Sequence, residues 1–179
     1  MIKKILIGLA VILVILVLVI ALQPATYQVE RSANIAAPAA AVFAQVNDFH
    51  KWNAWSPWAK IDPAMKQTFA GAPAGTGAVY TWAGNKAVGA GRMEITESQP
   101  SNLIKIKLEF LEPFAATSTT EFTFTPQGNQ TAVKWKMSGE NNFMAKAFSF
   151  FMNMDKMIGG DFEKGLAQMK AAAEAAPKQ

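Results

Sequence analysis

The chain has 179 residues, 51% of them hydrophobic, with 17 basic and 13 acidic side chains, one histidine and no cysteine. Lys3 and Lys4 supply two of the four net positive charges, so the remainder stands at only +2, and no basic run carries interleaved aromatics. These features argue against a nucleic-acid surface, and the missing cysteine removes disulfides, thiolate chemistry and Cys-based metal sites.

The first predicted element follows those two lysines. Ile5 to Leu22 is an uncharged run of Ile, Leu, Val, Ala and one Gly. Eighteen residues at about 1.5 Å each reach roughly 27 Å, close to a bilayer core of ~30 Å. A helix satisfies every backbone hydrogen bond internally, so its side chains are free to face lipid. The lysines should stay cytoplasmic, which sends the rest of the chain across the inner membrane. A cleaved signal peptide would begin in the same way, but its apolar core usually spans about 7–15 residues. The exit Ala21-Leu22-Gln23-Pro24-Ala25-Thr26 also lacks a good small-x-small cleavage site. The expectation is a single-pass anchor over 1–22, a linker over 23–25, one extracytoplasmic domain over 26–176 and a tail over 177–179. Three or four linker residues reach only about 13 Å, so the domain should sit against the membrane surface.

Beyond the linker, Thr26 to Ile35 alternates as a half-buried strand, with Tyr27, Val29, Arg31, Ala33 and Ile35 on one side. Pro38 suits a helix's first turn, and Ala39 to Val46 buries Val42, Phe43 and Val46. Asp48 to Lys60 is irregular and rich in tryptophan. Strand-like segments follow at Met65–Ala70, Gly77–Trp82, Val88–Ser98, Leu103–Leu111, Thr117–Pro126 and Ala132–Ser138, separated by turn formers. Ile104, Ile106, Leu108 and Phe110 oppose Lys105, Lys107 and Glu109, the mark of an antiparallel sheet with one wet and one covered face. A long helix from Asn141 or Asn142 to about Ala175 should supply the cover, interrupted at Gly159-Gly160. Strands followed by a segregated helix make the class α+β.

This order, with "PAAAVFAQVNDFHKWNAWSPWAKIDP" and "MDKMIGGDFEKGLAQMKAAAE", resembles the SRPBCC superfamily. That superfamily holds START-like lipid-transfer domains, birch-pollen-allergen proteins and the polyketide cyclase/dehydrase family, including its membrane-anchored bacterial members. The resemblance runs from Thr26 to about Glu174. It implies a helix-grip fold, in which about seven curved strands wrap the C-terminal helix around a deep apolar cavity. Such motifs specify the fold well and the activity poorly.

Chemistry-bearing residues are few. One histidine and scattered carboxylates offer no metal site, and there is no phosphate loop or nucleophile elbow, so no metal and no cofactor is expected. His50, beside Asp48 and Trp52, is either a general base or a surface histidine. Arg92 and Glu94 share a strand face with Thr96; they either meet a ligand's acidic group in the cavity or form a solvated cross-strand pair. Tyr80 and Trp82 alternate onto one face and line either the cavity or ordinary core. Phe148, Phe151, Met154 and Ile158 on the last helix are core or, with methionine's flexibility, part of an adaptable pocket. Trp52, Trp55 and Trp58 recur every third residue and either plug the core, gate the cavity or meet the membrane. Two functions compete: noncatalytic holding or transport of a hydrophobic small molecule or lipid, or a cyclase/dehydrase working in the same cavity through Tyr80, Arg92, Glu94 or His50.

Overall fold

The computed structural model describes residues 2–151 and 153–175, with the side chains of Phe151 and Met154 outside that description; so is the expected tail over 177–179. A 20-residue helix, α1 (Ile2–Ala21), leads by a four-residue link into β1 (Thr26–Ile35). Next come α2 (Ala39–Asn47), a 3-10 turn over Phe49–Lys51, and the single-turn α3 (Trp52–Trp55). Six strands follow: β2 (Lys66–Gly71), β3 (Ala78–Ala83), β4 (Ala90–Gln99), β5 (Leu103–Glu112), β6 (Ala116–Gln127) and β7 (Gln130–Glu140). The chain closes with α4 (Phe143–Phe151) and α5 (Met154–Glu174).

All seven strands form one antiparallel sheet in the order β1-β7-β6-β5-β4-β3-β2. Only β1 leaves chain order, and it does so because it pairs with β7 along its whole length, Thr26 opposite Glu140 and Ile35 opposite Thr131. The sheet is curved. One contribution is visible at β4, whose pairing with β5 shifts register between Ala90 and Gly91 and again between Ile95 and Glu97. Gly91 has a second duty: a Cβ there would strike the Trp82 indole and the Glu109 carbonyl.

The concave face carries the apolar residue of each alternating pair, and α5 lies across it. Ion pairs fix how far along the sheet the helix reaches. Arg31, midway along β1, binds Asp155 at 2.9 Å and Glu163 at 2.7 Å. At the other end of β1 the Ala36 amide donates to Glu174, and Lys170 donates to the Asn34 carbonyl. Among the described residues, the side-chain bonds that tie α5 to the sheet therefore run from Arg31 to Ala36.

One sequence expectation needs correction. The single long helix is two, with α5 starting anew at Met154, and Gly159-Gly160 does not interrupt it. Asn153 caps α5 by accepting from the Lys156 amide at 2.9 Å, while Asn142 accepts from the Ala145 amide at 2.8 Å and caps α4. Gly159 is helical, and its missing side chain has a different cause: a Cβ at that position would collide with the Arg31 guanidinium. The glycine lets β1's arginine lie flat on the helix.

Candidate functional site: the concave face near α1

The concave face divides into two halves along the strands. At the end remote from α1, packing is complete. Ile95, Ile104, Ile106, Phe122 and Val133 have no exposure at all. Trp135 stacks on Phe162 of α5 at 3.9 Å and on Phe122 at 4.9 Å, with Trp55 edge-on to both Phe122 and Trp135. The tryptophan-rich segment closes this half because α3 turns its rings inward. Trp52 Nε1 donates to the Val46 carbonyl at 3.0 Å and Trp55 Nε1 to Gln45 at 2.9 Å, so both indoles bury their ring and satisfy their one donor. Of the three roles open to these tryptophans, the structure shows the plug: Trp52 and Trp55 are buried, and Trp58 sits half-buried edge-on to Trp135.

The half nearest α1 is built differently. The registers set Tyr80 opposite Met93, Met93 opposite Leu108, and Gly91 opposite Phe110, so these side chains form one wall across β3, β4 and β5. Tyr80 and Trp82 stack at 5.9 Å, and Trp82 meets Phe110 edge-on at 6.3 Å. Each of these residues keeps some contact with solvent: 9% for Tyr80 and Trp82, 8% for Met93 and Leu108, and more for Phe110. Ile106 and Leu108 are neighbours on one strand face, yet Ile106 has no exposure and Leu108 keeps 8%.

Polar groups reach this region from two sides. Tyr27 Oη and Ser118 Oγ share a hydrogen bond of 2.7 Å, and Ser118 and Thr120 are buried on the concave face of β6. Among the described residues the Tyr80 hydroxyl has no hydrogen-bond partner, and burial pushes its pKa up to about 12. It therefore remains a neutral phenol able to donate to an oxygen of a bound molecule.

The sequence-derived candidates separate on this frame. Tyr80 and Trp82 belong to the wall, and Ile158 of α5 packs half-buried against the core. Arg92 and Glu94 lie on the opposite face of β4 from Met93 and Ile95, so they do not line the concavity. Arg92 instead bonds Glu94 at 2.7 Å and Glu109 at 3.2 Å in a solvated cluster. Strand alternation enforces this, because Met93 and Ile95 fill the inward positions. His50 also stands outside. Its Nδ1 lies 2.9 Å from Asp48 Oδ1 and its ring stacks on Phe69 at 4.1 Å, more than half exposed. It borders a separate open groove of about 220 Å³ between the 3-10 turn and β2. Phe148 of α4 is exposed, and α4 packs against α1. Phe151 and Met154 have side chains outside the described residues. The sequence places Leu108 on a covered face without marking it as a site residue, and Met93 and Ser118 went unnamed; the alternation in β4 to β6 was the available signal for their face.

Among the described residues no group of three or more His, Asp or Glu could hold a metal ion. A second open groove, of about 460 Å³, is polar and lies on the sheet edge at Thr26, Gln28, Thr119 and Ser138.

The comparisons with known proteins agree with this architecture. The family model described as polyketide cyclase / dehydrase and lipid transport matches residues 26–174, the whole sheet and α5. Among solved structures, protein CV1439 from Chromobacterium violaceum is 14% identical, covering 86% of this chain and 100% of its own, with a TM-score of 0.60. Ms6760 from Mycobacterium smegmatis is 20% identical over 83% of this chain and 91% of its own, TM-score 0.58. The Aha1 dimer from Colwellia psychrerythraea is 14% identical over 85% and 99%, TM-score 0.58. At such identities the likeness shows the fold, here helix-grip. No curated protein matches in sequence.

Proposed function

Because the chain belongs to the polyketide cyclase / dehydrase and lipid transport family, we propose that it holds or carries a hydrophobic small molecule or lipid in the α1-proximal half of its concave face. The observation that carries this reading is the contrast within one strand face: Ile106 has no exposure, while Leu108, two residues on, keeps 8% beside Met93, with Tyr80 and Trp82 at 9% on the same wall. An apolar ligand entering there gains about 25 cal/mol for each Å² taken from water. Coming from a bilayer, the ligand is already in an apolar medium, so the exchange is close to balanced and a small preference suffices. The Tyr80 phenol gives that preference direction, as one donor beside an apolar wall.

In this reading α1 is an uncleaved anchor. It is long and apolar enough to cross a membrane and stands almost wholly exposed, and Lys3 and Lys4 favour a cytoplasmic N-terminus with the domain on the extracytoplasmic side of the inner membrane. The link from Ala21 to Thr26 then holds the ligand wall close to the lipid that would supply it. Catalysis of the cyclase/dehydrase kind has less support: Arg92, Glu94 and His50 face away from the concavity, and Tyr80 is left as the acid. Native mass spectrometry of the full chain, extracted from its own membranes in mild detergent, tests both parts. The expected result is an intact N-terminus with a co-purifying apolar adduct. A protein that carries no adduct and binds no hydrophobic probe would remove the binding reading.

A further inference from the structure

Large apolar side chains are not scattered over this domain's surface. Beyond Leu22, the described ones that stand exposed are Ile61, Leu111, Phe114, Phe143, Met144, Phe148, Phe150 and Met157, and six of these eight belong to α4 or flank the β5–β6 turn. The sheet registers bring these two segments to one end. Thr26 opposes Glu140, Gly139 opposes Ser118, and Ala116 opposes Phe110, so the start of β1, the exit of β7 into α4 and the β5–β6 turn all lie at the same edge. The turns at the opposite end, Ala72–Thr76, Pro100–Asn102 and Gln127–Asn129, carry no large apolar side chain.

That edge is also where α1 enters. Asn141 donates through its amide to the Ala25 carbonyl at 2.8 Å and through its side chain to Pro24 at 3.2 Å. Helix α4 packs against α1, and Lys146 Nζ donates to the Ala21 carbonyl at 3.0 Å, filling one of the acceptors that a helix end leaves open. The exposed Phe143, Met144 and Phe148 are therefore held at the level of α1's last turn. On the opposite side of the same edge, Phe114 at the hairpin tip is 76% exposed.

We infer that this edge is a lipid-docking surface: α4 and the Phe114 tip enter the headgroup–acyl boundary of the same bilayer that α1 spans. This rests on the anchor reading given under Proposed function and adds which face docks. The occupant follows from geometry. If α1 crosses the membrane, four link residues reaching about 13 Å cannot lift this edge clear of the surface, and the side chains meeting that surface first are aromatic and thioether groups suited to the boundary. Lys146 fits the same place, since its stem can lie along apolar surface with the ammonium at the helix end. Docked in this way, the domain turns the accessible half of its concave wall toward lipid.

The chain lacks cysteine, so single nitroxide labels can be introduced at will. Full-length Leu13→Cys, Phe114→Cys, Met144→Cys and Lys134→Cys proteins are reconstituted into phosphatidylcholine/phosphatidylglycerol vesicles, and collision with oxygen is compared with collision with a water-soluble nickel chelate. The expected result is a several-fold higher oxygen-to-nickel ratio at Phe114 and Met144 than at Lys134 on the sheet's outer face, with Leu13 higher still. Phe114 and Met144 reading like Lys134 while Leu13 reads as membrane-embedded would overturn the docking and leave the anchor standing. An aqueous Leu13 would overturn both. Spin–spin broadening at Met144, with exclusion of both reagents, would assign the surface to a second copy of the chain and also overturn the proposal.

Discussion

Ile106 and Leu108 lie on the same face of the same strand, and the difference between them summarises two halves of this molecule. Around Ile106 the sheet is covered by α5 and plugged by Trp55, Phe122 and Trp135, all essentially without exposure. Around Leu108 the wall of Tyr80, Trp82, Met93 and Phe110 keeps a small exposure, 8–9% at all but the half-buried Phe110. The lesson is a division of labour along one apolar surface: the far half holds the fold together, and the near half is free to hold something else. Arg31, bound to both Asp155 and Glu163, ties the start of α5 to β1.

The largest effect should come from the packed half. Trp55→Ala removes a fully buried ring and its hydrogen bond to Gln45, and should cost about 3–5 kcal/mol in a denaturant titration. A loss under about 1 kcal/mol would mean that this half is not the stabilising core.

Next in size is a paired substitution that sharpens the contrast directly. Ile106→Trp forces bulk into a filled site and should destabilise by at least about 1–3 kcal/mol. Leu108→Trp, two residues away, should fold with a melting temperature near that of the parent and lose most of its hydrophobic-probe binding. Equal destabilisation by both would erase the distinction between the halves.

A smaller effect concerns the start of α5. The Arg31 guanidinium holds the Asp155 carboxyl below its ordinary range. Because the folded value is the lower one, the contribution is present above the unfolded carboxylate range, about pH 4, and is lost as pH falls through the folded value. Acid should therefore release the start of α5 first. Hydrogen exchange should show faster exchange over residues 155–160 than over 162–172 below about pH 4, and Asp155→Asn should remove much of that pH dependence.

The smallest expected effect is none. Arg92→Ala and His50→Ala should leave probe affinity within about twofold, since exposed pairs contribute little and neither side chain meets the wall. A large loss from either would move the site to the outer face or to the groove beside Phe69.

Much of the architecture was legible in the sequence, and the reasons are specific. Ile104, Ile106, Leu108 and Phe110 against Lys105, Lys107 and Glu109 state a covered and a wet face without ambiguity. The β1 span, Thr26 to Ile35, follows from the same alternation. The helix break was misread because Gly159-Gly160 is the weaker helix former by propensity, whereas Asn153 ends and restarts the helix by capping and Gly159 answers to an arginine 128 positions earlier. Arg92 and Glu94 were ambiguous for a related reason, since a polar pair on a strand looks the same whether it meets a cavity or water. What alternation cannot carry is position along the strand. Ile106 and Leu108 belong to one pattern, and alternation alone gives both the same face without telling their exposures of 0% and 8% apart.

The most direct test of that separation is photo-crosslinking with a diazirine-bearing fatty acid in membranes containing the full chain, with the modified residues located by peptide mass spectrometry. Adducts are expected on the strand segments carrying Trp82, Met93, Leu108 and Phe110, and are expected to be lost in Leu108→Trp. Adducts confined to the outer face around Arg92, or unchanged in Leu108→Trp, would contradict it.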